Sequence, residues 1–221
     1  MNQKTNSLKL LLFAAVSLGC AAAVRAQDPM KAPPNPAADA SSGYGLLGSN
    51  YAGLAFDYYA LHQGAPSVAH GFSFTDRTVM GDRVDTTFDY DWLRTRSAGG
   101  TSLRNRVAAG LSSYAVTDWG KPFVESSLGW RWDKTGGPAK SSLLYRAATG
   151  FEFKLAPRFA LAPYVAFDRA TRFNQNETGY GLRANYRLTS DWNLAFRTEY
   201  QDVSHTSADR TLVSLGANYH F

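Results

Sequence analysis

Between Val84 and Trp92 the chain alternates Val84, Thr86, Phe88, Tyr90 and Trp92 with Asp85, Thr87, Asp89 and Asp91. A period of two puts these sets on opposite faces of one β-strand, the first apolar and aromatic, the second carrying three carboxylates. A soluble core does not accept three carboxylates on one strand face, because buried charges need partners. The apolar face therefore needs a cover other than that core.

The same dyad recurs along the chain. Ala52, Leu54, Phe56, Tyr58 and Ala60 oppose Tyr51, Gly53, Ala55, Asp57 and Tyr59; Val124, Ser126, Leu128, Trp130 and Trp132 oppose Glu125, Ser127, Gly129, Arg131 and Asp133. Leu143 to Lys154, Tyr180 to Leu188, Trp192 to Gln201 and Thr211 to Phe221 follow the same rule. Soluble β-barrels such as lipocalins are apolar inside and polar outside. Here the faces that carry aromatics near strand ends (Trp92, Trp132, Trp192, Tyr219) are opposed by charged faces, which is the order of a transmembrane barrel with interfacial aromatics.

The first 26 residues have Lys4 and Lys9, an apolar run from Leu10 to Ala23, and Val24-Arg25-Ala26 ahead of Gln27. This is the pattern of a cleaved export signal, and its 14-residue apolar run is shorter than the ~20 residues of a spanning helix. The single cysteine, Cys20, lies inside it, in a poor lipoprotein context because Ser17 stands where Leu is expected. Cleavage would leave no thiol, hence no disulfide and no cysteine metal site, which suits an oxidising periplasm. It would also remove Lys4, Lys9 and Arg25, leaving 20 basic against 18 acidic side chains and a net charge of +2. Without a concentrated basic face, nucleic-acid binding is excluded.

Residues 27–49, rich in Pro and Ala, read as a mobile periplasmic arm, and residues 50–221 as the barrel. Segments near Arg104 to Val116 and Arg158 to Arg169 alternate less cleanly, and Pro163 predicts a bulge or an early strand end. Counting Val68 to Val79, where Phe72 and Phe74 alternate with Gly71, Ser73, Thr75 and Arg77, the expectation is a closed, antiparallel, up-and-down barrel of ten strands. Eight is the alternative if the first hairpin is misread. Ten strands give short turns on one side (80–83, 117–121, 155–157, 188–191) and longer external loops on the other (62–67, 96–103, 134–140, 170–177, 203–209), with both chain ends periplasmic.

The inward positions collect Arg77, Arg104, Arg106, Arg131, Arg146, Lys154, Arg183, Arg187 and Arg197 against Asp57, Asp85, Asp89, Asp91, Glu125, Asp133, Glu152, Asp168 and Glu199, nine against nine. In a barrel this narrow such a balance implies a salt-bridged, plugged lumen and a structural or surface-interaction role, with a narrow porin-like channel for small solutes as the alternative. Catalytic candidates are few. His205 and Ser207, spaced to share one face of an extended segment, resemble the His-x-Ser element of lipid A deacylase barrels over three residues, with Ala208 where Asn is expected. His62 lies beside another loop, no His or Cys cluster has metal-ligand spacing, and no cofactor is expected.

The terminal Tyr219-x-Phe221, the export signal and the repeated dyads together resemble the small bacterial outer-membrane β-barrel superfamily, which includes outer membrane protein A-like and opacity-type barrels, over Asn50 to Phe221. The resemblance implies an outer-membrane location among lipid and lipopolysaccharide. It also implies that the terminal strand, with Tyr219 and Phe221, is read by periplasmic chaperones and the barrel assembly machinery as transient partners. Deleting Phe221 is expected to lower the fraction of heat-modifiable, folded protein in the membrane; an unchanged fraction on gel-shift analysis would remove that role.

Overall fold

The computed structural model describes residues 45–62, 68–97, 100–204 and 209–221. The expected export signal with Cys20, most of the expected arm, and His205 and Ser207 lie outside the described residues. Among those described there is no helix long and apolar enough to cross a membrane. The strands are β1 (Tyr51–Leu61), β2 (Val68–Gly81), β3 (Val84–Ser97), β4 (Gly100–Tyr114), β5 (Gly120–Thr135), β6 (Lys140–Ala156), β7 (Phe159–Ala170), β8 (Gln175–Arg187), β9 (Trp192–Ser204) and β10 (Arg210–His220). Each pairs antiparallel with its sequence neighbours, and β1 pairs with β10, so ten strands form a closed up-and-down barrel without a free edge.

Polarity is inverted as the dyads require. Leu54 and Leu215 are each 61% exposed on the outer wall, while Asp85, Glu199 and Arg131 are buried inside. Two strands hid their alternation in the sequence for different reasons. In β7 both faces are apolar, with Phe159, Leu161, Val165 and Phe167 on one and the buried Ala160, Ala162, Ala166 and Ala170 on the other. In β4 Asn105 falls on the outer face, where it accepts a hydrogen bond from the Tyr90 hydroxyl on β3 at 3.2 Å.

Pro163 neither bulges nor ends its strand. The β6–β7 register is the same from Gly150↔Tyr164 to Phe153↔Leu161, and Pro163 pairs with Leu182 on β8. The missing N–H is absorbed within a continuous strand, and the outward-pointing ring adds apolar surface there. The irregularities sit elsewhere, at Lys154/Ala156 and at Val79/Gly81. At the second, the Val79 N–H donates to Asn50 Oδ1 at 2.8 Å.

The expected long loops shrink. β3 runs to Ser97 and β4 starts at Gly100, and only residues 136–139 and 171–174 separate β5 from β6 and β7 from β8. Ladder hydrogen bonds do not need apolar side chains, so the strands continue beyond the apolar band into polar sequence. Loop length therefore does not distinguish the two ends, but the outer wall does. At the end where β1 begins and β10 ends (the near end), aromatics such as Trp192, Tyr186 and Phe159 reach the strand tips. At the far end the outer wall turns to Arg94, Arg96, Lys134, Arg169, Asn176 and Asp202.

Leu54 lies midway up the apolar band. A Leu54→Arg substitution is expected to lower stability in lipid vesicles by about 2–4 kcal/mol, and Ser141→Arg at the far rim by about 0–1 kcal/mol. Equal effects in denaturant titration would show that the wall is not lipid-covered.

Candidate functional site

The lumen is the only place where the fold concentrates chemistry among the described residues, and it is organised in three tiers. Nearest the termini, Arg77 on β2 pairs with Asp85 on β3 (3.2 Å) and with Glu125 on β5 (2.8 Å), and Glu125 also holds Arg183 on β8 (2.8 Å). In the middle, Glu199 on β9 accepts from Arg197 (2.6 Å), from Arg146 on β6 (3.2 Å) and from the Tyr164 hydroxyl on β7. Arg146 continues to Asp168 (2.6 Å), which faces Arg106 at 3.8 Å, and Arg106 pairs with Asp91.

The far tier joins Arg104 to Asp133 (3.2 Å), Asp133 to Arg131 (2.6 Å), Arg131 to Glu177 (3.4 Å) and Glu177 to Arg210. Gln201 ties the upper two tiers together, accepting from Arg210 and donating to Glu199 at 2.6 Å. Glu199 is 1% exposed. An isolated carboxylate there would be prohibitive; four donors hold it.

Glycines make room for this packing. A Cβ on Gly181 would lie 2.3 Å from the Tyr164 ring, and one on Gly179 2.7 Å from Glu199 Oε1. Arg183 stacks over the same Tyr164 ring at 4.5 Å.

The near mouth is closed by chain that the sequence assigned to the arm. Residues 45–49 enter the barrel: the Leu46 N–H donates to Glu152 Oε2 and the Gly48 N–H to Asp85 Oδ2, each at 2.9 Å, and Lys121 Nζ donates to the Leu47 carbonyl at 2.8 Å. Gly48 adopts φ of 78°, which only glycine takes readily. Leu47, 4% exposed, packs in a cluster of Tyr114, Phe123, Ala148, Ala162, Tyr164 and Ala166. Two cavities remain, about 160 Å³ on the near side and about 50 Å³ on the far side. Asp91, Arg106, Arg146 and Arg197 line both.

Most sequence-selected lumen charges are thus brought into one network. Asp57 and Asp89 have no guanidinium within ion-pair distance; Asp89 instead accepts from Thr75 Oγ1 at 2.8 Å, and Asp57 sits opposite Ser214. Lys154 lies at the near end of β6. Arg187 does not join these ion pairs: it folds onto the β8–β9 turn and donates to the carbonyls of Thr189 (3.0 Å) and Ser190 (3.2 Å). Sequence reading missed Glu177, Gln201, Arg210 and Tyr164. Glu177 continues the inward series Gly179, Gly181, Arg183, and Arg210 the series Leu212, Ser214, so extending the dyads past the expected loop boundaries finds both.

On the outer wall, Trp92 lies 6.1 Å from Phe72 in a stacked pair, Trp132 is exposed toward the far end, and Trp192 packs on Tyr219 at 5.2 Å at the near end. His62 Nε2 lies 2.8 Å from Thr211 Oγ1 at the far rim.

No protein-family model and no curated protein matches the chain. Among solved structures, the translocator domain of the autotransporter NalP from Neisseria meningitidis is similar over 83% of this chain and 93% of its own, at 14% identity and a TM-score of 0.45. The beta domain of the Bordetella autotransporter Brka covers 78% and 100%, at 12% identity and 0.48. The attachment invasion locus protein Ail of Yersinia pestis covers 78% and 99%, at 10% identity and 0.39. At these values the likenesses carry no assignment of function.

Glu199→Ala takes one partner from each of the half-buried Arg146 and Arg197, leaving Arg146 with Asp168. The expected cost is about 3–5 kcal/mol of unfolding free energy in urea, and a loss under 1 kcal/mol would mean the middle tier is already hydrated.

Proposed function

We propose that this chain is an integral outer-membrane β-barrel with a structural or surface-interaction role and a lumen closed to solute flow. One observation carries the reading: with three tiers of ion pairs and Leu47 packed in the near mouth, the interior keeps two pockets of about 160 and 50 Å³ that share four charged side chains. Enclosed ligand sites usually occupy about 300–1,000 Å³. The near end, where β1 begins and β10 ends, faces the periplasm and the far end projects outward, a reading supported by outer-wall aromatics that reach the strand tips at the first, Asp76 notwithstanding, and by an outer wall that turns polar at the second. Export by a cleaved leader and insertion by the assembly machinery precede this state. The proposed role is non-enzymatic, supported by interior carboxylates most of which are held by guanidiniums; lipid A hydrolysis by Ser207 is a distant alternative that an unchanged lipid A acylation pattern in a Ser207→Ala strain would remove.

Single-channel recording of the purified, refolded barrel in a planar bilayer tests the closed lumen. Wild type is expected to be silent. Leu47→Asp, which puts a charge into the apolar cup, and Arg146→Ala, which removes one of the shared side chains, are expected to raise the frequency of discrete steps. Steps in wild type whose size changes with Arg146→Ala would establish the narrow channel instead.

A further inference from the structure

The far rim of the outer wall is electrically one-sided. Register places His70, Arg94, Leu103 and Lys134 side by side on β2, β3, β4 and β5, a row about 14 Å wide. Arg96 stands one pleat above Arg94, beside Val68 and Thr101. One pleat below, about 7 Å nearer the bilayer centre, runs the row Phe72, Trp92, Asn105 and Trp132. No acid falls on the outer face of these four strands at the far end, and Arg94, Arg96 and Lys134 form no ion pair among the described residues. Arg94 Nε is buried without an acceptor. Across the barrel the far outer wall mixes signs, with Arg169 on β7, its Nε likewise buried without an acceptor, beside Asn176 on β8, and the exposed Asp202 beside Thr178 on β9 and β8.

An aromatic row marks the level of lipid headgroups, and a cationic row just above it meets their charged groups. Cations in lipid-facing wall positions without protein partners leave the acceptor to the surroundings. We infer that the β2–β5 face is a docking site for a phosphorylated glycolipid of the outer leaflet, the lipid A type, whose phosphates are held by Arg94, Arg96 and Lys134 while its acyl chains lie on Phe72, Trp92 and Trp132. This rests on the far end facing outward in the outer membrane. The site is an asymmetric one, fixing which side of the barrel keeps its lipid, and guanidinium donors suit phosphate oxygens.

The full mature protein, refolded in detergent, is titrated with bis-phosphorylated lipid A and with the same lipid after removal of its phosphates, and retained lipid is counted by native mass spectrometry. Wild type is expected to retain the phosphorylated form, and the R94Q/R96Q/K134Q variant to retain it roughly tenfold less or weaker still. Arg169→Gln, on the opposite wall, is expected to behave as wild type. Equal retention by the triple variant, or equal retention of the dephosphorylated lipid, overturns the site. A wild-type dimer that disappears in the triple variant, with no lipid retained, would assign the basic face to the acidic wall of a second copy. Heat-modifiability is read on every protein. A wild type that fails to insert into vesicles removes the membrane reading itself, whereas one that inserts without distinguishing phosphate removes only the lipid site.

Discussion

One carboxylate shared by two guanidiniums is the contact on which the interior depends. Glu125 takes Arg77 and Arg183, Glu199 takes Arg146 and Arg197, Glu177 takes Arg131 and Arg210, and Asp133 takes Arg104 and Arg131. The large apolar side chains face outward, and the interior has little left for cohesion besides charge. A pair of ions barely repays its desolvation. A branched network satisfies more of each ion's hydrogen-bonding capacity in the same volume, and joins strands far apart around the circumference: β5 to β8, β6 to β9, β8 to β10.

Where alternation was strong the fold could be read directly. The faces of β1, β3, β5 and β9 follow from dyads in which most aromatics have a polar or small neighbour on either side. In β7 the signal vanished because the lumen there is lined with alanine, which leaves space for Leu47 and the Tyr164 ring. Strand ends were misjudged at the far rim for a related reason: alternation reports only how far the outer wall stays apolar, whereas strand length is set by backbone pairing, and the two diverge where the wall turns polar.

The candidate site was legible in kind and not in connection. Parity alone selected nearly all the charges that meet in the lumen. It gave no partners, because a contact such as Arg146 with Glu199 joins strands three apart, and the slide of register around a tilted barrel decides which levels coincide. Nor did parity reveal the entry of residues 45–49, whose composition is that of a linker. Their place is decided by backbone N–H groups that find Glu152 and Asp85, a signal carried by the acceptors rather than by the segment itself.

That segment is continuous with β1, yet its grips are on β3, β5 and β6. It therefore crosses the bore like a spoke, fastened to the wall on the side away from the seam between β1 and β10. A thin hoop resists stretching along its hydrogen bonds but flattens easily under sideways load. A member that spans the opening resists that flattening, so the near mouth is the stiffer cross-section of this barrel and sideways strain is passed to the rim at the opposite end.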